Sequence, residues 1–176
     1  MTFSFFDDDG TIIQGGRDAV RDMKPGDAIL SVLLEQEMRD TPIPSGVTHK
    51  LVPIPDRQPF PVGALVDAAL WVKGMALRRE GGDGKVLIHC AEGNSRSIAV
   101  VLILLLESMS LAAAIDKICY VKPHCTEGGK CVNEKQEDRI NAWGDFTQRL
   151  MDYFKGVRIF RQGNDFVVFH LPGENK

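Results

Sequence analysis

The fold class follows most directly from a strand, a helix and a second strand that succeed one another within residues 49–89. Residues 49–54 and 85–89 are short, largely apolar runs, and the second is typical of a strand buried on both faces of a parallel sheet. Between them, residues 61–79 carry apolar side chains at helical spacing. Strands joined by such a helix are parallel, with a right-handed crossover. The chain is therefore predicted to be an α/β protein with a central, mostly parallel sheet flanked by helices.

Further strands and helices are predicted on both sides of this unit, from apolar runs and from apolar side chains at helical spacing. The strands cover residues 11–13 and 28–34, and the helices cover residues 97–108, 111–121 and 136–154. Two apolar runs, residues 157–160 and 166–169, flank Gln162-Gly163-Asn164-Asp165 and predict a hairpin. We therefore expect one compact domain over residues 1–155 and a C-terminal hairpin extension over residues 156–176 that packs on it.

The composition suits a globular protein without a nucleic-acid or membrane partner. The chain has 176 residues, and its net charge of −3 gives no electrostatic reason to expect nucleic acid or an anionic membrane surface. The most apolar run, residues 98–106, is about half of the ~20 residues that a spanning helix needs. The start of the sequence lacks the basic and apolar regions of a signal peptide. Together with four cysteines, these features predict a cytoplasmic protein whose thiols are reduced.

The strongest functional signal is the segment at the end of the strand at residues 85–89. It reads His89-Cys90-Ala91-Glu92-Gly93-Asn94-Ser95-Arg96-Ser97. Backbone N–H groups in a loop between a strand and a helix can converge on one anion, and the helix N-terminus adds its positive dipole. A cysteine beside the guanidinium of Arg96 is expected to ionise at neutral pH. Because arginine can also bind two phosphate oxygens at once, the segment predicts a phosphate-binding loop with a nucleophilic thiol.

The pattern His-Cys-x-x-Gly-x-x-Arg-Ser resembles the signature of the cysteine-dependent protein tyrosine phosphatase superfamily, and this form is similar to its dual-specificity branch. The resemblance implies a compact phosphatase domain that hydrolyses phosphate monoesters through a cysteinyl phosphate, without a metal ion or other cofactor. It implies that Cys90 is the nucleophile, that Arg96 binds the phosphate and that Ser97 supports the thiolate. His89 would hold the loop in place. The other substrate-binding residues would be Ala91, Glu92, Gly93, Asn94 and Ser95.

The resemblance also implies a general acid from an earlier loop. Asp56 follows the strand at residues 49–54, and the carboxyl ends of parallel strands lie at one edge of a sheet, where ligands bind. Asp56 is therefore the predicted acid, which would protonate the leaving oxygen and then act as the base for water. Two other aspartates are less well placed, because Asp67 lies in the predicted helix and Asp83 precedes the next strand at the opposite edge.

A phosphorylated protein is the predicted substrate and partner, with phosphotyrosine first and phosphoserine or phosphothreonine as further candidates. An RNA 5′-phosphate or a phosphoinositide remains open, although the loop has no lysine to bind a polyanionic headgroup. A second hypothesis, of another class, is a phosphate-binding module that has lost turnover.

Two other groups of residues indicate different chemistry. Asp7-Asp8-Asp9-Gly10-Thr11 matches the D-x-D-G-T pattern of haloacid-dehalogenase-type phosphatases, whose first aspartate is a magnesium-assisted nucleophile. An Asp-Gly turn between two short strands explains the same residues. Cysteines and a histidine form a second cluster of candidate zinc ligands or redox partners for Cys90, with spacing that matches no familiar zinc site and favours a long surface loop. Its members are Cys119, His124, Cys125 and Cys131, and the resemblance would place Asn133 in the same loop.

Overall fold

The computed structural model describes residues 4–5, 10–56, 59–79, 82–121 and 136–171. Strands and α-helices follow one another along this part of the chain. They are β1 (Ser4–Phe5), β2 (Ile12–Gly15), β3 (Ala28–Val32), α1 (Glu35–Met38), β4 (Thr48–Val52), α2 (Val62–Leu77), β5 (Val86–His89), α3 (Arg96–Leu105), α4 (Leu111–Val121), α5 (Gln136–Lys155), β6 (Val157–Gln162) and β7 (Asp165–His170). A six-residue 3-10 helix, Arg17–Asp22, lies between β2 and β3.

Five of the strands form one sheet in the order β1-β2-β5-β3-β4. The strands β2, β5, β3 and β4 are parallel, and β1 joins the edge in the antiparallel sense. The predicted α/β architecture with a mostly parallel sheet is therefore confirmed. The two strands predicted within residues 49–89 correspond to β4 and β5. They are parallel, but they are not neighbours because β3 lies between them. Their carboxyl ends still meet at one edge of the sheet.

The central strand β5 is apolar throughout its first three residues because both of its faces are covered. Val86 and Ile88 pack in the larger core with helices α2, α3, α4 and α5, whereas Leu87 faces the smaller core formed with the 3-10 helix. All three side chains are fully buried. Burial of side chains of this size contributes about 1.5–3 kcal/mol each, so this strand is held firmly in the middle of the sheet.

Helix α3 is apolar on all sides because it lies inside the larger core, where every residue of the helix except Leu104 is buried. Its first residues, Arg96 and Ser97, are also buried, and they lie where the helix leaves the end of β5. The helix was predicted over residues 97–108, but it ends at Leu105 and continues as a turn over residues 106–108. The predicted helices at residues 111–121 and 136–154 are present as α4 and α5.

The C-terminal strands form the predicted hairpin, in which Gln162 pairs with Asp165 around a two-residue turn. Gly163 in that turn has a φ of 64°, which glycine adopts without strain. Phe166 and Val168 pack against the larger core. The ammonium group of Lys73 on α2 lies 4.8 Å from the centre of the Phe166 ring. The hairpin therefore contacts α2, while the division of the chain at residue 155 stays a prediction.

No helix in the described part of the chain combines the length and the apolar character that a membrane span requires. The predictions for Asp7, Asp8 and Asp9 lie outside the described residues, as do those for His124, Cys125, Cys131 and Asn133. The backbone of Cys119 belongs to α4, but its side chain also lies outside the described part.

Candidate active site

The candidate site is built around the loop that joins β5 to α3. The loop turns at Gly93, whose φ of 74° belongs to the left-handed region. A Cβ atom at Gly93 would lie 2.7 Å from the carbonyl atoms of Gly15 and 2.8 Å from the nitrogen of Gly16. A side chain at Gly16 would in turn lie 3.2 Å from the carbonyl oxygen of Ala91. Glycine is therefore required at Gly93, and a side chain at Gly16 would be tight, because the loop packs closely against the end of β2.

Gly15 and Gly16 support the loop in a way that was not predicted from the sequence. The backbone N–H of Arg17 continues this contact by donating to the Ala91 carbonyl at 3.1 Å. Two consecutive glycines at the carboxyl end of a strand were the available signal, because such pairs often mark a close approach of backbone to backbone.

Cys90 lies at the base of the loop, where β5 ends. It is a free thiol and only 3% exposed. Its Sγ lies 3.3 Å from the Ser97 hydroxyl oxygen. Ser97 accepts a hydrogen bond of 2.8 Å from the side-chain nitrogen of Gln14, which also donates to the Gly93 carbonyl at 2.8 Å. Gln14 was not predicted to belong to the site, although a glutamine in an otherwise apolar strand is a signal for a buried polar contact.

Arg96 is almost fully buried and is oriented by Glu37, a residue of the short helix α1. Its two terminal nitrogens donate to the Glu37 carboxylate at 2.7 and 2.9 Å. One of them also donates to the Ile54 carbonyl at 3.1 Å. The Nε of Arg96 is buried and has no hydrogen-bond partner among the described residues. The guanidinium is thus held from one side, with an unsatisfied donor on the other.

The ion pair between Arg96 and Glu37 shifts the pKa of each group in the direction that favours its charged form. Burial alone would lower the pKa of Arg96, but the hydrogen bonds to Glu37 and the nearby negative charges outweigh burial and raise it. The same hydrogen bonds lower the pKa of Glu37, helped by the backbone N–H of Leu34. Both groups are therefore charged at neutral pH. Glu37 was missed in the sequence, where nothing distinguishes it from other acidic residues near a helix start.

Asp56 follows β4 and lies at the same edge of the sheet as Cys90. Its Oδ1 is 3.7 Å from Arg96 Nε, and its side chain is 52% exposed. The two competing aspartates lie elsewhere, as predicted: Asp67 is an exposed residue of α2, and Asp83 precedes β5 at the opposite edge. The structure therefore brings Asp56, Arg96 and Cys90 to one place.

His89 is fully buried beside the loop, and burial lowers its pKa to about 4, so it is neutral at physiological pH. Its Nδ1 is 3.2 Å from the Cys90 carbonyl, which can only accept, so Nδ1 donates. Its Nε2 must then accept from the Ser31 hydroxyl at 2.6 Å. Ser31 oxygen in turn lies 2.9 Å from Nε2 of His49, which is left to donate. This ordered chain holds the backbone of Cys90 and extends to a surface histidine.

No protein-family model matches the sequence, and no curated protein matches it. Solved structures match over most of the chain. Human tyrosine phosphatase-like serine/threonine/tyrosine-interacting protein is 16% identical, with a TM-score of 0.59, over 85% of this chain and 98% of that one. PTPMT1 in complex with PI(5)P is 19% identical, with a TM-score of 0.55, over 85% and 99%. Human DUSP28 is 20% identical, with a TM-score of 0.52, over 84% and 96%.

Proposed function

We propose that this chain, which has the fold of the cysteine-dependent protein tyrosine phosphatase superfamily in the form of its dual-specificity branch, hydrolyses phosphate monoesters through a cysteinyl phosphate. The proposal depends on the Nε donor of Arg96, which is buried without a hydrogen-bond partner among the described residues at the start of α3, next to the loop that holds the Cys90 thiol. A buried donor that makes no hydrogen bond is costly, and a phosphate oxygen would accept one from it. Asp56, at 3.7 Å from that donor, is then close to the ester oxygen of the substrate.

In the proposed first step, the Cys90 thiolate attacks the phosphorus atom. A bond forms between sulfur and phosphorus, and the bond between phosphorus and the ester oxygen breaks. The departing oxygen takes a proton from the Asp56 carboxyl group, so that an alcohol or phenol leaves rather than an anion. Arg96 and the backbone N–H groups of residues 91–96 stabilise the charge on the remaining phosphate oxygens during the transfer.

In the proposed second step, water hydrolyses the cysteinyl phosphate. The Asp56 carboxylate takes a proton from the water, whose oxygen attacks the phosphorus atom while the bond to sulfur breaks. Inorganic phosphate and the Cys90 thiolate are the products. Ser97, 3.3 Å from the sulfur, donates a hydrogen bond that stabilises the departing thiolate.

For the substrate, we propose a phosphorylated protein side chain, phosphotyrosine first and phosphoserine or phosphothreonine second. Residues 90–97 contain no lysine, and Glu92 is exposed on the loop. An acidic side chain there repels a headgroup that carries several phosphates more strongly than it repels a substrate that carries a single phosphate. The phosphoinositide bound to PTPMT1 is the competing substrate class. We also propose a cytoplasmic location, because a nucleophilic thiol must stay reduced.

A phosphate-binding module without turnover is the second candidate function. The same fold occurs in a human protein named for its interactions and called phosphatase-like. The presence of Cys90, Arg96 and Asp56 in one place favours the enzyme over this alternative.

The test is hydrolysis of a small aryl phosphate in EDTA by the wild-type chain and by Cys90→Ser, with Cys119→Ser as the matched control. We expect turnover that EDTA does not affect, that Cys90→Ser abolishes and that Cys119→Ser retains. Turnover that needs magnesium would move the chemistry to Asp7 and Asp9 and overturn the proposal. Phosphate binding without turnover would favour the binding module. Rates on phosphotyrosine peptides and on PI(5)P vesicles then separate the two substrate classes.

A further inference from the structure

We propose that Gln14 is a positioning residue for the Cys90 thiol and that it acts through the hydroxyl of Ser97. The inference rests on the proposed function for the role of Cys90 as nucleophile. Gln14 lies within β2, and its side chain is fully buried. Its Nε2 is 2.8 Å from the Gly93 carbonyl oxygen and 2.8 Å from the Ser97 hydroxyl oxygen, and Ser97 lies 3.3 Å from the sulfur. These contacts link an interior strand to the thiol.

The Gly93 carbonyl determines which way the Gln14 amide points. A carbonyl oxygen only accepts hydrogen bonds, so the nitrogen of the amide must face it, and not the oxygen. With the nitrogen held there, its second N–H is available to the Ser97 oxygen. The amide oxygen of Gln14 has no hydrogen-bond partner in the described part of the chain. A buried carbonyl without a partner is unfavourable, so the two short bonds from the nitrogen, together with its longer contact of 3.3 Å to the Gly15 carbonyl, must outweigh that cost.

The Ser97 hydroxyl has one proton to donate, and Gln14 limits which acceptor receives it. Because the oxygen accepts from Gln14, the proton remains for the sulfur of Cys90. A serine within a helix often donates instead to the carbonyl of the fourth residue before it, which here is Gly93. Gln14 already donates to that carbonyl and so competes with Ser97 for it. A hydroxyl that donates to sulfur favours the thiolate over the thiol, which is the form that attacks phosphorus.

The test follows the ionisation of Cys90 itself. The rate of alkylation by iodoacetamide is measured against pH, and the peptide that contains Cys90 is quantified by mass spectrometry, so that the other cysteines do not contribute. In Gln14→Leu we expect the midpoint of the profile to move up by about one pH unit, a tenfold change in the ionisation equilibrium. Ser97→Ala should give a similar shift. The exposed Gln162→Leu is the matched control and should leave the midpoint unchanged.

A double variant shows whether Gln14 acts through Ser97. In a Ser97→Ala background, Gln14→Leu should add no further shift, because no hydroxyl remains to be oriented. An unchanged midpoint in Gln14→Leu overturns the inference, and so does a full additional shift in the Ser97→Ala background. Gln14→Met preserves the length of the side chain and provides the same comparison if Gln14→Leu does not fold. Arg96, the cation that faces Cys90, is unchanged in all of these variants.

This measurement is independent of the proposed function because alkylation requires no phosphate ester. If the midpoint shifts as expected but the wild-type chain hydrolyses no phosphate ester, the proposed function fails and the role of Gln14 stands. If the chain is an active phosphatase and the midpoint does not move, the role of Gln14 fails alone.

Discussion

Glu37 and Arg96 form a two-pronged ion pair, in which each carboxylate oxygen accepts from a different terminal nitrogen of the guanidinium, at 2.7 and 2.9 Å. The pair joins residues that are 59 positions apart in the sequence. Because two parallel hydrogen bonds fix a planar group in orientation as well as in position, Glu37 determines where the remaining Nε donor of Arg96 points. In the proposed enzyme, that direction is toward the phosphate.

Glu37→Gln should destabilise the chain and weaken phosphate binding. A neutral amide at this position would lack the charge that compensates the buried Arg96 cation, and loss of one partner of a buried pair costs about 3 kcal/mol. The matched control is Glu35→Gln, which alters an exposed glutamate of the same helix. Urea unfolding measures the stability, and inhibition of aryl phosphate hydrolysis by inorganic phosphate measures binding. Equal stability of the two variants would show that the ion pair contributes nothing.

Asp56→Asn should lower kcat by about 10²–10⁴-fold without loss of stability, because asparagine cannot supply the proton to the leaving oxygen. The loss should shrink for aryl phosphates whose leaving groups are weak bases, since these need no proton to depart. Asp67→Asn, at an exposed position of α2, is the control and should behave as wild type. The measurement is kcat across a series of aryl phosphates. A uniform loss across the series would assign Asp56 a role other than proton donor.

His89 should make the chain less stable in mild acid. Its pKa is about 4 in the folded chain, against an ordinary value of 6.5, because burial disfavours the charged ring. Between these two values the unfolded chain binds a proton that the folded chain does not, so stability falls as pH falls through this window. The pKa difference corresponds to a loss of about 2 kcal/mol between pH 7 and pH 5.

Urea unfolding at pH 7 and pH 5 tests this prediction. In His89→Gln, the difference between the two pH values should shrink by about 2 kcal/mol, whatever the stability of the variant at pH 7. His170→Gln, at an exposed position of β7, should retain the full difference. The lowered pKa of Glu37 acts in the same direction at lower pH, because its ion pair with Arg96 is lost only when the carboxylate is protonated. A pH difference unchanged in His89→Gln would contradict the assignment.

Gly74→Ala should destabilise the chain, although alanine is the better helix former by about 1 kcal/mol. A Cβ atom at Gly74 would lie 2.5 Å from the carbonyl oxygen of Asn164 in the hairpin turn. Backbone cannot move aside as a flexible side chain can, so we expect a net loss of about 1–3 kcal/mol. Gly63→Ala on the same helix is the control, because its Cβ would meet the ring of Tyr153 at 3.3 Å, a side chain that can shift. Thermal unfolding measures the stability of both variants. A stabilised Gly74→Ala would show that the hairpin turn leaves room for a side chain at this position of α2.

The sequence alone predicted the edge of the sheet at which Asp56 lies, but not the order of the strands. Two strands joined by a helix predicted that β4 and β5 end at one edge, and the structure places Asp56 beside Arg96 there. The position of β3 between these two strands was not predicted, because strand order depends on which apolar faces pack together and not on local pattern. The end of α3 was also placed three residues too late, since the apolar residue Leu106 continues the helical pattern into the following turn.

The parallel direction of β4 and β5, the loop that follows Cys90 and the C-terminal hairpin could be predicted from the amino-acid sequence, because each depends on residues close together along the chain. Tertiary structure alone decided that Gln14 would reach Ser97, 83 residues away, and that Glu37 would hold Arg96. A glutamine and a glutamate have no local pattern that marks them for these contacts. Their roles arise because burial removes water as a partner, so each polar group must find the donor or acceptor that the fold places next to it.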